Sequence, residues 1–153
     1  MKKKIRKILL VCVVIFLLMQ LYQPARNKDG GQILPSHITE LYSVPDSING
    51  IFASSCYDCH SNNTRYPWYS YIQPARFFME RHIRNGKKEL NFSEFGNYSR
   101  RRQESKLESI NKQVKSGEMP LASYTWLHKN SKLTLQQREM IINWVDTILK
   151  NYE

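Results

Sequence analysis

The residue types best suited to chemistry lie together between positions 56 and 60. Cys56 and Cys59 are separated by two residues, and His60 follows directly. Two thiols three positions apart on a helical turn can each form a thioether with one haem vinyl group, and the next imidazole then lies below the iron. The motif therefore predicts one covalently attached haem c, with His60 as an iron ligand.

Three other kinds of site can use two cysteines at this spacing. A structural zinc site needs two further ligands, and the sequence has no second C-x-x-C and no H-x-x-x-H. A thioredoxin-like dithiol is expected after a strand in a βαβ unit, and no strand pattern is visible. A plain disulfide would close a very small loop. The sequence favours haem attachment over these three alternatives.

A second axial ligand for the iron is predicted at Met119. This residue lies in Gly117-Glu118-Met119-Pro120, directly after a helix stop. Pro120 keeps Met119 out of the helical conformation, so that the thioether can reach the iron from the side opposite His60. His82 is the alternative ligand, and a site left open or bound by water is the third reading. The remaining candidates, which the sequence favours less, are Met79, Met140, His37 and His128.

Two further residues are candidates for contacts with the haem. Trp68 lies in an aromatic loop after the cysteine motif. It is predicted to form a wall of the haem pocket, and its indole N–H is a candidate donor to a haem propionate. Arg76 is predicted either to pair with a propionate or to lie on a solvated helix face.

The hydrophobic spacing around these residues predicts an all-α domain of about four short helices joined by long loops. One helix ends at Cys56, and a second is expected to stop at Gly86. A third is expected to begin near a capping box formed by Ser105 and Glu108. The last helix begins with a capping box at Thr134 and Gln137. A small helical domain is therefore expected.

The N-terminus has the composition of a targeting segment. Basic residues between Lys2 and Lys7 precede an apolar stretch that Pro24 ends. We expect residues 1–23 to form a signal anchor or transmembrane helix, residues 24–37 a linker, and residues 38–153 the haem-binding domain. A secretory signal that is cleaved off is the alternative for the first segment. Because positive charge stays on the cytoplasmic side, the domain is expected to face the periplasm from a bacterial inner membrane.

Several motifs together resemble a known family, the bacterial haem-binding domain. The segment Cys56–Ser70 is similar to its C-x-x-C-H-S-N motif and the Pro-Trp-Tyr segment that follows, and Asn91–Phe95 and Gly117–Pro120 are similar to later motifs. The likeness covers roughly residues 38–146. One departure is Leu121, where a second proline is expected. The resemblance implies a cytochrome c-like, membrane-associated protein.

These observations predict a single-electron carrier of the monohaem cytochrome type, whose redox partner protein the sequence does not identify. A haem-based sensor or binder of diatomic gases is the alternative. No catalytic residue can be assigned, so an enzyme is not expected, although a peroxidase-like activity remains open. The formal net charge is +10, but no basic motif interleaved with aromatics is present, and nucleic-acid binding is not expected.

Overall fold

The fold is entirely helical. A computed structural model describes residues 1–152, and within them there is no β-strand. The prediction of an all-α class is confirmed, although there are more helices than the four expected. The α-helices are α1 (Lys2–Met19), α2 (Ile38–Leu41), α3 (Asp46–Ser55), α4 (Tyr57–His60), α5 (Ala75–Glu89), α6 (Arg100–Ser116), α7 (Ala122–Leu127) and α8 (Leu135–Leu149), and the 3-10 helices are Trp68–Tyr71, Phe92–Asn97 and Lys129–Ser131.

Helices α6 and α8 form the centre of the core. Each carries an apolar stripe at helical spacing, which includes Leu107 and Ile110 on α6 and Ile141 and Val145 on α8. Phe52 of α3 packs against this pair, edge-on to the ring of a buried tryptophan on α8. The core therefore lies beneath the short segment that connects α3 to α4.

Two of the predicted helix boundaries are confirmed. The Thr134 side chain accepts from the backbone N–H of Gln137, and the Gln137 side chain accepts from the backbone of Thr134, so the capping box at the start of α8 is present. Gly117 ends α6 in the left-handed conformation, with φ of 75°. A residue without Cβ adopts this conformation at no steric cost.

Two other boundaries were wrong. Helix α6 begins at Arg100 rather than near Ser105, and Ser99 occupies its N-cap position. Helix α5 continues through Gly86 to Glu89. Gly86 is not one of the glycines with a positive φ, so the backbone conformation does not require glycine there. Its role is a close contact described below.

The expected transmembrane helix at the N-terminus is not found. Helix α1 does form there, but five of its eighteen residues are Lys or Arg. The uncharged part runs from residue 8 to residue 19 and spans about 18 Å at about 1.5 Å per residue, less than the hydrocarbon core of a bilayer. Among residues 1–152, no helix is long and apolar enough to cross a membrane.

The segment between α1 and α2, for which a linker was expected, is hydrogen-bonded to the domain. Gln20 and Gln73 bond to each other, with the Gln73 backbone N–H donating to Gln20 Oε1 at 2.9 Å. Asn27 lies at the centre of a second set of contacts. Its Nδ2 donates to Ser61 O at 2.7 Å, and Lys87 Nζ donates to its Oδ1 at 2.7 Å.

Candidate functional site

The cysteine motif is placed by the junction between α3 and α4. Cys56 ends α3, where its backbone N–H donates to Phe52 O at 2.8 Å, and it also precedes the first residue of α4. The backbone N–H groups of Cys59 and His60 both donate to Cys56 O, at 3.1 and 3.0 Å. The motif is thus a single helical turn, the local geometry that the sequence predicted for it.

One hydrogen bond determines which ring nitrogen of His60 is available. Nδ1 of His60 lies 3.0 Å from the backbone oxygen of Leu90. A carbonyl oxygen can only accept, so Nδ1 carries the proton and Nε2 keeps a free lone pair. Burial lowers the pKa of His60 below its ordinary value, although the hydrogen bond to Leu90 opposes this shift. A neutral imidazole with its Nε2 free is the form that binds a metal.

Helix α5 approaches the motif closely at Gly86. A Cβ placed on this glycine would lie 2.7 Å from the backbone oxygen of Cys59. Real Cβ atoms do not come so close to a backbone atom, so only glycine permits this packing of α5 on α4. Because α5 leads directly to Leu90, the same contact sets the position of the carbonyl that orients His60.

Both thiols of the motif are free and uncharged. Neither Cys56 nor Cys59 is joined in a disulfide. Burial, and then the neighbouring thiol of Cys59, raises the pKa of Cys56 to about 12. Burial, and then the carboxylate of Asp58, raises the pKa of Cys59 to about 11. The motif therefore presents two thiols rather than thiolates at neutral pH.

A cavity of about 330 Å³ opens beside Cys56 and His60. Its walls are mainly apolar and come from α3, α6, the chain from the end of α5 to the start of the second 3-10 helix, and the loop before α8. The apolar wall residues are Phe52, Leu90, Phe92, Ile110, Val114 and Leu133. An apolar cavity with a few polar groups at its edge is typical of a cofactor site.

Met119 lines the same cavity as His60. The residue follows the left-handed Gly117, and its backbone N–H donates to Gln113 O at 3.2 Å, which holds the loop against the end of α6. The structure thus brings together the two residues that the sequence predicted as axial ligands. The other methionines and histidines considered as ligands do not line the cavity.

Three of the residues considered at the sequence level are placed elsewhere. The Trp68 side chain is 76% exposed and lies outside the cavity. Arg76 is buried near the start of α5, where its guanidinium donates to Pro24 O. His82 is exposed, and its Nδ1 donates to Phe78 O at 2.8 Å. Neither Trp68 nor Arg76 lines the cavity that His60 and Met119 share.

Sequence reasoning missed the polar groups at the edge of the cavity. Lys106, Ser109 and Gln113 lie on one face of α6, and Glu89 lies opposite on α5. Lys106 forms no ion pair within residues 1–152. The spacing of the three α6 residues by three and four positions was a visible signal, but their role depends on which face of α6 lines the cavity.

Sequence reasoning also missed the role of Asp58, one of the two variable positions of the motif. The residue is buried, and its side chain accepts hydrogen bonds from Arg65 and from the Tyr124 hydroxyl. The carboxylate and the guanidinium of Arg65 form an ion pair at 3.2 Å. The residue immediately before Cys59 is thus a point at which three segments meet.

The residues around the cavity fit haem. His60 offers an unprotonated nitrogen, Met119 a thioether sulfur, and Cys56 a buried thiol, all at one apolar cavity. Lys106 supplies a cation at its edge, and a cation can form charge-assisted hydrogen bonds with the carboxylates of haem. For the zinc alternative, residues 1–152 contain no group of three or more His, Cys, Asp or Glu side chains arranged to hold a metal ion.

Comparison with known proteins agrees with this geometry. The family described as "haem-binding domain" matches residues 14–147 of the chain. No curated protein and no solved structure matches it. Since the match includes the cysteine motif, the Met119 loop and all the helices that surround the cavity, the chain belongs to the haem-binding domain family.

Proposed function

We propose that the protein holds its haem covalently, as a c-type cytochrome does. The free, protonated thiols of Cys56 and Cys59 on one helical turn support thioether formation with the two haem vinyl groups. His60, with its Nδ1 donating to Leu90 O, is the proximal ligand in this proposal. Met119, which lines the same cavity, is the distal ligand.

Covalent attachment is tested by denaturation. Haem should remain with the polypeptide through acid–acetone extraction and a denaturing gel, because thioether bonds survive conditions that break axial bonds. Cys56→Ala and Cys59→Ala should each reduce the haem retained, and the double variant should retain none. Cys12→Ala is the matched control, since Cys12 lies in α1, away from the cavity, and should change nothing. Complete loss of haem from the wild type would contradict the proposal.

The function that the site supports best is transfer of single electrons. The observation that carries it is the presence of His60 and Met119 at one apolar cavity. Haem bound there supplies a one-electron iron couple, and methionine–histidine ligation raises its potential relative to two histidines. With both axial positions filled by the chain, no substrate needs to bind or leave. The protein is then a carrier rather than an enzyme, and its partner is another redox protein.

A haem-based sensor of diatomic gases is the second candidate. One observation favours it: α7, which follows the Met119 loop, has no buried residue, so the loop is not fixed by a packed helix. In a sensor, the Met119 sulfur would leave the iron to admit the gas. Ferrous wild-type protein that binds carbon monoxide stoichiometrically and rapidly would support the sensor and contradict the carrier.

Variants at Met119 distinguish the two candidates. Ferric haem bound by a thioether has a weak charge-transfer band near the red end of the visible spectrum. The wild type should show this band, and Met119→Ala should lose it and bind carbon monoxide when reduced. His82→Ala is the control because His82 lies outside the cavity. If the spectrum follows His82→Ala instead, the ligand assignment is wrong.

We also propose that the domain works outside the cytoplasm of a bacterium. Basic residues followed by an apolar stretch at the N-terminus support an export signal. A phosphatase reporter fused to the C-terminus should be active, because this enzyme requires an oxidising compartment. A cytoplasmic reporter at the same position should be inactive, and the reverse result would contradict the location.

A further inference from the structure

Helix α7 is held in place with little help from apolar burial. It begins at Ala122, three residues after Met119, and none of its six residues is buried. Its two largest apolar side chains point to solvent, since Trp126 is 79% exposed and Leu127 is 55% exposed. Because the hydrophobic effect scales with the apolar area removed from water, polar contacts must determine where this helix sits.

The strongest of these polar contacts reaches the helical turn of residues 56–60, here called the haem-attachment turn. The Tyr124 hydroxyl donates to Asp58 Oδ2 at 2.7 Å. Asp58 lies two residues before His60, and Tyr124 lies five residues after Met119. This bond, the 58–124 hydrogen bond, therefore joins the backbone that carries one iron ligand to the backbone that carries the other.

The acceptor end of this bond is rigidly held. Asp58 Oδ1 accepts from the backbone N–H and the Nε of Arg65, at 2.9 and 3.2 Å, and Oδ2 accepts from Arg65 Nη2 at 3.2 Å. The Thr64 hydroxyl donates to the backbone oxygen of Asp58 at 2.6 Å. A carboxylate fixed in this way cannot turn away from Tyr124, and hydrogen bonds to charged acceptors are stronger than neutral ones.

Other contacts hold the far end of the same segment. Ser131 Oγ donates to Ser54 O at 2.6 Å, and the Tyr69 hydroxyl lies 3.1 Å from His128 Nε2. Both are farther along the chain from Met119 than Tyr124 is. Neither reaches α4, so the 58–124 hydrogen bond has a position in the fold that these two contacts do not replace.

We propose that Tyr124 is a positioning residue for the distal ligand, and that the 58–124 hydrogen bond holds the Met119 loop against the haem-attachment turn. Tyr124 does not touch the haem; it acts through the loop that precedes it. The proposal rests on Met119 being the distal ligand. It implies that the strength of the iron–sulfur bond, and with it the barrier to entry of a small ligand, depends on a hydrogen bond formed outside the haem cavity.

The test removes one hydroxyl and follows Met119 ligation in the haem-loaded full chain. Tyr124→Phe should weaken the red charge-transfer band and raise the rate of carbon monoxide binding by about tenfold, the loss expected for one hydrogen bond to a charged acceptor. Tyr57→Phe is the matched control. It removes a hydroxyl from the residue next to Asp58, but that hydroxyl donates to Asn49 Oδ1 at 2.8 Å, on α3. Its spectrum and its rate should be those of the wild type.

A second variant approaches the bond from the acceptor side. Asp58→Ala removes the acceptor and should raise the carbon monoxide rate, and adding Tyr124→Phe to it should produce little further change. Tyr124→Phe with an unchanged band and rate would overturn the proposal, as would an equal effect from Tyr57→Phe. If Tyr124→Phe does not fold, an unchanged rate in Asp58→Ala overturns it. A wild type without the red band would instead contradict Met119 as the ligand.

Discussion

At the scale of single residues, one hydrogen bond fixes the orientation and the protonated nitrogen of His60, the proposed proximal ligand. His60 is oriented by a backbone oxygen rather than by a carboxylate, because its Nδ1 donates to Leu90 O. A neutral acceptor raises the basicity of the imidazole less than an ionised carboxylate does. This arrangement leaves the axial ligand and the charges at the cavity edge as the main determinants of the haem potential.

The charge of Lys106 should affect the haem potential. This residue is the cation on the α6 side of the cavity, and no carboxylate of residues 1–152 pairs with it. A nearby positive charge favours the reduced, less positive iron, so Lys106→Gln should lower the midpoint potential by on the order of tens of millivolts. Spectroelectrochemical titration measures this shift. Lys112→Gln, on the same helix but outside the cavity, should leave the potential within a few millivolts, and equal shifts in both variants would contradict the assignment.

At the scale of helices, the contact between α4 and α5 depends on one missing side chain. Gly86→Ala would place a Cβ 2.7 Å from the Cys59 oxygen, and the backbone of either helix would have to move. We expect a loss of about 1–3 kcal/mol in the free energy of unfolding, together with less efficient haem attachment. Denaturant unfolding and in-gel haem staining measure the two effects.

The control for this variant is another helical glycine. Gly50 lies inside α3, and a Cβ there would meet nothing within 4 Å. Gly50→Ala should be neutral or should stabilise the protein by about 0.5–1 kcal/mol, since alanine is the better helix former. If Gly86→Ala were equally harmless, the close approach of α5 would not be what positions the motif.

Helix α2 supplies a dependence on pH. Its N-terminal cap is His37, whose Nδ1 accepts from the backbone N–H of Thr39 at 3.3 Å, so the cap requires the neutral ring. Burial lowers the pKa of His37 from 6.5, more than Glu40 and Asp29 raise it. The unfolded chain then binds a proton more readily than the folded one, and stability is lost as pH falls below about 6.5.

Replacement of this histidine should therefore reduce the effect of acid. Between pH 7.5 and pH 5.5, the haem-free wild type should lose free energy of unfolding, and His37→Asn, which keeps a capping oxygen, should lose less. Urea titrations at the two pH values provide the measurement. His82→Asn is the control because His82 is exposed. A wild-type loss that persists unchanged in His37→Asn would show that other groups cause it.

How far the sequence predicts this molecule differs from element to element. The capping box at Thr134 and the stop at Gly117 were predictable because each is a local interaction within four residues. The interior position of Gly86 was not, because it depends on the approach of a helix from elsewhere in the chain. The same reason explains why the roles of Lys106 and Asp58 were not predicted: the cavity beside Lys106 and the Tyr124 hydroxyl that bonds Asp58 are brought to them only by the fold.

At the scale of the whole molecule, the walls of the cavity are formed by the hydrophobic core of the domain. Phe52, Phe92, Ile110, Val114 and Leu133 belong to the main hydrophobic cluster and also line the cavity. A group that fills the cavity therefore completes the packing between α3 and α6. For this reason the stability of the domain and the occupancy of its site should be measured together.

The last prediction follows from this overlap. An empty apolar volume of about 330 Å³ corresponds to roughly 8 kcal/mol at about 24 cal/mol per Å³, an upper bound because the cavity is open on one side. Haem-loaded protein should therefore unfold at a temperature at least about 10 °C above that of the haem-free chain, as followed by far-ultraviolet circular dichroism. Ile110→Ala, at a cavity-lining position, should lower the unfolding temperature more in the loaded form than in the haem-free form, because only the loaded form loses packing against the cofactor. Leu107→Ala, one helical turn away and fully buried outside the cavity, should lower it by similar amounts in both forms. Equal unfolding temperatures with and without haem would mean that the cofactor lies outside the core, and would contradict the placement of the site between His60 and Met119.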